Sequence, residues 1–204
     1  MVTNANLIAA LKRRDDHALR AALEQGADPN APSPANYLTV LYWAVDNDYT
    51  AGAALLLEFG ASPNIAHPGG LPPLGIALSR GNAPMVTLLL RHGADPRLRS
   101  APFEGTERLS PSPVETMVDK TFRALGDRNA AAAIGTFPLW AVLLDHDPSL
   151  VTEISACLPT DGGQYGIFLE DVRRVLLPAL QQTLRDSGRA DLIPAVTAAF
   201  SHLP

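Results

Sequence analysis

Cysteine is nearly absent from this 204-residue chain: Cys157 stands alone, so no disulfide forms within it, which fits a reducing compartment. No apolar run approaches the roughly 18 residues of a membrane span, and Met1 to Ala10 lacks the apolar stretch of a secretory leader. A soluble, cytoplasmic protein is expected. Basic excess is missing too. Sixteen Lys and Arg against 21 Asp and Glu leave a net charge of −5, which does not suit a phosphate backbone and argues against nucleic-acid partners. Aromatic residues make up 6% of a chain that is 47% hydrophobic, so its core must be assembled mostly from small and aliphatic side chains. That is enough core for one elongated domain or two small ones. Richness in Ala, Leu, Arg and Pro fits a high-GC bacterial source.

Clusters that carry chemistry are equally sparse. The five histidines, His17, His67, His92, His146 and His202, are far apart, and Asp145-His146-Asp147 reads as a polar helix end, because a metal needs three or four convergent ligands. Cys157 has no nearby histidine base and reads as a small buried thiol. Gly162-Gly163-Gln164-Tyr165-Gly166 precedes a helix, but no strand leads in, no lysine follows, and Glu170-Asp171 would oppose an anion. No cofactor and no metal is expected.

What the chain does contain is one phrase written three times. Glu24-Gln25-Gly26-Ala27-Asp28-Pro29-Asn30 returns as Glu58-Phe59-Gly60-Ala61-Ser62-Pro63-Asn64 and as Arg91-His92-Gly93-Ala94-Asp95-Pro96-Arg97, with the glycines 34 and then 33 residues apart. Ala10, Ala44 and Ala77 and then Leu23, Leu57 and Leu90 recur in the same register. A period of this length means a stacked array. Each glycine should end an apolar helix in a left-handed conformation. Asp28-Pro29, Ser62-Pro63 and Asp95-Pro96 should then turn the chain, and Thr39 should cap the helix that follows. The small alanines allow close helix approach, and the leucines fill the space between repeats.

This pattern resembles the ankyrin repeat. Leu38-Thr39-Val40-Leu41-Tyr42-Trp43-Ala44 and Leu71-Pro72-Pro73-Leu74-Gly75-Ile76-Ala77 are similar to that family's Thr-Pro-Leu-His-x-Ala opening, and the closing Gly-Ala-Asp-Pro-Asn is better kept than either. The resemblance covers about residues 3–97. It implies an all-α solenoid of helix-turn-helix units with protruding turns. In the third copy Pro72 replaces the capping Thr and Gly75 the His, so the first helix there should be less firmly fixed.

Three segments are expected: repeats over 1–97, a long loop and a degenerate fourth repeat over 98–148, and a helical cap over 149–204. Ser112-Pro113-Val114-Glu115 has the form of a capping box and should start a helix. Leu143-Leu144-Asp145-His146-Asp147-Pro148 faintly echoes a repeat ending, which requires an insertion around Gly126 to Gly135. From Ile167 to Arg185 the apolar residues Leu169, Val172, Leu176, Leu180 and Leu184 form one face, suited to covering the open end of the stack or to homodimerisation.

The resemblance also implies a function. Ankyrin stacks are cupped like a hand and bind other proteins on the concave side. Positions matching the family's variable contacts are, in the palm, Lys12, Arg13, Asp46, Asn47, Ser79 and Arg80, with Asp119 and Lys120 if the fourth repeat forms. In the turns, or fingers, they are Asn36, Leu38, Pro68, Gly69 and Leu71. Tyr37, Tyr42 and Trp43 stand beside them, either as interface anchors or as packing between repeats. The leading expectation is a non-enzymatic module, most simply a monomer, that sequesters or masks one partner protein. An immunity protein steered toward a basic toxin fits its size and charge. The alternative is an effector or enzyme with its activity in 98–204 and repeats that choose the target.

Overall fold

The computed structural model describes residues 4–32, 38–102, 107, 109–127, 129–158, 174 and 176–201. Its described elements are helical, with one isolated antiparallel bridge between Pro32 and Thr39. Contacts divide the chain into two compact units, Met1–Pro113 and Val114–Pro204.

In the first unit, three helix pairs follow one another: α1 (Asn4–Arg13) with α2 (Asp16–Glu24), α3 (Val40–Asp46) with α4 (Thr50–Glu58), and α5 (Pro73–Arg80) with α6 (Ala83–Arg91). First helices pack side by side in one layer and second helices in another. The reason lies in how each helix ends. Gly26, Gly60 and Gly93 take φ of +88°, +89° and +83°. Each glycine N–H reaches back to Leu23, Leu57 or Leu90, and the next N–H, of Ala27, Ala61 or Ala94, to Ala22, Leu56 or Leu89. This double back-bond satisfies carbonyls that the helix end would orphan, and it buries the following alanine beside the core.

First helices end in the same way, which the sequence pattern did not announce. Arg14, Asp48 and Gly81 all stand in the left-handed region, with φ of 54°, 52° and 80°. Behind them Asp15, Tyr49 and Asn82 donate to the carbonyls of Ala10, Ala44 and Ala77. Second helices are then capped by Asp15, which accepts from the Ala18 N–H at 2.9 Å, and by Asn82, which accepts from Met85 at 3.0 Å. As expected, Thr39 caps α3 through the Tyr42 N–H at 3.1 Å, whereas Pro72 offers α5 no side-chain cap.

Repeats are locked to one another by asparagines. Asn30 Oδ1 accepts the Ser62 N–H at 2.7 Å and its Nδ2 donates to the Gly60 carbonyl at 3.4 Å. Asn64 repeats the clamp on Asp95 at 2.9 Å and Gly93 at 2.9 Å. At the first repeat, Asn4 supplies the matching contact to the Asp28 N–H. Because Asn64 ties two backbone groups of the next turn, Asn64→Ala should lower stability by about 1 kcal/mol, at roughly 0.5 kcal/mol net per bond. A urea midpoint identical to that of the parent would mean that water replaces both bonds at no cost.

The second unit contains α7 (Pro113–Gly126), α8 (Ala130–Ile134), α9 (Phe137–His146), α10 (Leu150–Cys157), α11 (Leu177–Asp186), a 3₁₀ turn (Ala190–Leu192) and α12 (Ile193–Ser201). Its core holds Phe122, Phe137, Trp140, Leu144, Leu180 and Phe200. Phe137 and Trp140 meet edge to face at 6.5 Å. The Trp140 indole N–H donates to buried Thr121 at 3.0 Å, whose hydroxyl also meets Thr136 at 2.8 Å, so the polar edge of the ring is paired inside the core. Part of the amphipathic segment expected over Ile167–Arg185 lies outside the described residues. From Leu176 onward its leucines 176, 180 and 184 are buried, and α11 packs on α9 and α12 of the same chain. The end of α9 differs from the three repeat endings, since Asp147 is extended with φ −143°.

Candidate partner-binding surface

The 34- and 33-residue stagger aligns the C-terminal ends of α1, α3 and α5 in a row. Lys12 and Arg13 are exposed there and have no ion-pair partner among the described residues. Both lie in the last turn of α1, where the helix dipole favours a cation. In the next repeat Asp46 is half-buried, and Arg80 of the third repeat donates to it at 2.7 Å while lying 3.7 Å from Asp48. Asp48 also accepts from Asn82 at 2.8 Å. These exposed pairs contribute on the order of 0–1 kcal/mol each, and Arg80 offsets one of the two carboxylate charges. Asn47 donates to the Trp43 carbonyl at 2.9 Å and accepts the Arg14 guanidinium on its own carbonyl. Ser79 turns back to the Ile76 carbonyl at 2.8 Å.

Both aromatic candidates of α3, Tyr42 and Trp43, are half-buried, so each packs on one side and remains accessible on the other. Burial, and then the Asp46 carboxylate, hold the Tyr42 phenol above its ordinary pKa, with Arg80 opposing. The hydroxyl is therefore a neutral donor at physiological pH.

Between the second and third turns lies an open cleft of about 300 Å³, lined by Leu38, Thr39 and Tyr42 on one side and by Ile65, Ala66, His67 and Pro68 on the other. Ile65 is 40% exposed, whereas Ala31, its counterpart one repeat earlier, is completely buried. The His67 Nδ1 lies 2.8 Å from the Pro68 carbonyl, which fixes the ring. Gly69, with φ 74°, donates its N–H to Ala101 at 2.8 Å, so the segment after the third repeat runs along this turn. Pro68 and Gly69 are exposed and Leu71 is half-buried. Asn36 and Tyr37 lie outside the described residues.

The cleft thus unites Leu38, Tyr42 and Pro68 with Ile65 and His67, which sequence reasoning passed over. The available signal was a large aliphatic side chain directly after the turn asparagine, where the first repeat has only alanine. Asp119 and Lys120 belong to the second unit, on α7. Asp119 accepts from Arg123 at 2.7 Å, and burial holds the Lys120 ammonium below its usual pKa.

The acidic tripeptide before Pro148 serves the helix end. Asp145 accepts from Arg189 at 2.9 Å, and Asp147 accepts from both the backbone and the hydroxyl of Ser149. Arg189 in turn grips Asp191 through two hydrogen bonds and holds that carboxyl below its ordinary pKa. Cys157 is half-buried at the end of α10. The segment Gly162–Gly166 lies outside the described residues. No described helix is long and apolar enough to cross a membrane.

A family profile of ankyrin repeats, in three copies, matches residues 7–100. Among curated proteins, human palmitoyltransferase ZDHHC13 is 30% identical over 103 residues, covering 47% of this chain and 15% of its own length. The zygote-specific protein 3 of Chlamydomonas reinhardtii is 35% identical over 94 residues, covering 46% of this chain and 25% of its own. The chain therefore spans a quarter or less of these relatives, and the likeness to the palmitoyltransferase is confined to the ankyrin region. Ankyrin repeats are generally non-enzymatic protein-interaction modules. With three stacked helix pairs, glycine-closed in one register and matched over residues 7–100, this part of the chain is an ankyrin-repeat array.

Proposed function

We propose that the chain binds one partner protein through the turns and first helices of its three repeats, and thereby sequesters or masks it. The observation that carries this reading is the apolar cleft between the second and third turns, which Tyr42 lines, with half-buried Trp43 and a row of charged helix ends on the same first helices. Rigid aromatic and aliphatic groups next to polar ones are what an interface core needs.

An immunity role against a basic toxin is a narrower form of this proposal. The electrostatic support for it comes from the second unit, since Val114–Pro204 holds seven basic and eleven acidic residues while Met1–Pro113 holds nine and ten. Long-range attraction of a basic partner would thus act mainly through residues 114–204, leaving the repeats to make the short-range contacts.

Affinity capture tests the reading. Tagged parent protein and the double variant Trp43→Ala/Asp46→Arg are expected to differ by one stoichiometric protein, retained by the parent alone, with both baits equally folded by circular dichroism. Identical captures would move the interface away from the second repeat.

A further inference from the structure

We infer that the repeat surface recognises an extended protein segment bearing one large apolar side chain and, about four residues away, a carboxylate. The inference rests on the binding role proposed above and specifies its chemistry.

Two observations combine. None of the residues lining the cleft is Asp, Glu, Lys or Arg, and the cleft is mostly apolar, with Ile65 and Pro68 open to solvent. A cleft of about 300 Å³ accepts a leucine- or phenylalanine-sized side chain. Among its lining residues Tyr42 carries a neutral hydroxyl, a donor suited to a carbonyl of the bound segment.

Charge supplies the second half. In the second and third repeats Arg80 meets both Asp46 and Asp48, and Asn82 donates to Asp48. Lys12 and Arg13 are exposed without a partner among the described residues. At the α1 end Lys12, Arg13 and Arg14 outnumber Asp15 and Asp16, so the local excess there is positive, and its complement is a carboxylate.

Spacing follows from helix geometry. Lys12 is in register with Asp46, one helix over from α3, and Tyr42 lies one turn before Asp46. Neighbouring helix axes stand about 8–10 Å apart and four helical residues rise about 6 Å. The diagonal of roughly 11 Å is covered by about three or four extended residues at about 3.3 Å each.

Random linear peptides displayed on phage and selected on the full chain test this. Enriched sequences are expected to pair Leu, Ile, Met or Phe with Asp or Glu at about three to six positions' distance, in either order. A synthetic enriched peptide, followed by fluorescence polarisation, should bind at least about tenfold more weakly to Ile65→Arg. Lys12→Gln/Arg13→Gln should weaken it about threefold to tenfold, and should also flatten its salt dependence. All replaced side chains are exposed, and circular dichroism checks that the variants keep the parent fold.

Enrichment of basic peptides, or binding indifferent to Ile65→Arg, overturns the inference. Enrichment of nothing, or self-association through the cleft seen as a doubled mass in light scattering, overturns it as well. The wider binding role fails separately, when the protein captured from extract does not depend on Trp43 and Asp46.

Discussion

Exchanging Gly52 for alanine is expected to destabilise the repeat unit by about 3 kcal/mol, the upper part of the range for overpacked cores. On helix propensity alone the same change should stabilise, because alanine in a helix interior is favoured over glycine by about 0.5–1 kcal/mol. Packing reverses the sign. A Cβ on Gly52 would stand 2.2 Å from Cε1 and 2.4 Å from Cδ1 of the Tyr49 ring, far inside van der Waals contact. That ring cannot swing away cheaply. It is 6% exposed, its hydroxyl donates to the Asp16 carboxylate, and the Arg14 guanidinium lies 5.4 Å from its centroid. Burial, then the hydrogen bond to Asp16, hold the phenol pKa well above its ordinary value, so it stays a donor at any physiological pH. Tyr49 therefore joins the first repeat to the second, and Gly52 is the floor on which it lies. Urea denaturation of a double-mutant cycle with Tyr49→Ala checks the cause. In the Tyr49→Ala background Gly52→Ala should become neutral or stabilising, whereas equal destabilisation in both backgrounds would show that the ring is not responsible.

The second large effect is expected at Gly60, where valine should cost roughly 2 kcal/mol. Nothing lies within 4 Å of a Cβ built there, so no collision opposes the side chain. The cost is in the backbone. With φ at +89°, a β-branched residue is strained, and relaxing that strain would break the bonds from Gly60 to Leu57 and from Ala61 to Leu56 that close α4. Asparagine, which tolerates the left-handed region, should be less costly than valine at this position. Thermal melts of Gly60→Asn and Gly60→Val would report the difference. Equal melting temperatures for the parent and the valine variant would mean that the turn relaxes without penalty.

These two glycines differ in how far sequence alone could read them. Gly60 belongs to a phrase repeated in one register with Gly26 and Gly93, and a local rule accounts for it: a helix end followed by a turn needs a residue free to adopt positive φ. Gly52 has no such signature. In the linear chain it is a weak point in a helix, and the reason for it comes from a ring three residues before it that is held by Arg14 and Asp16, more than thirty positions away.

The same division runs through the candidate site. The repeat register placed Lys12, Asp46 and Ser79 in a row, and the family resemblance marked Tyr42 and Trp43. Pairing was not legible. Arg80 meets Asp46 and Asp48, while Lys12 and Arg13 have no such partner among the described residues, because charge matching depends on side chains from different repeats. The cleft was legible in part. Leu38 and Pro68 stood among its expected contacts, but Ile65 emerged only when two turns were brought face to face.

By itself the sequence determined the helical class, the period, the glycine-closed helix ends and the Thr39 cap. All of these are settled within a few residues of backbone, where hydrogen-bond satisfaction and allowed φ leave little choice. Tertiary structure decided the left-handed ends at Arg14 and Asp48, the asparagine clamps, the seat of Tyr49 on Gly52, and which charges and apolar groups face solvent. Those features join atoms some thirty residues apart, and their energies exist only once neighbouring repeats have stacked and expelled the water between them.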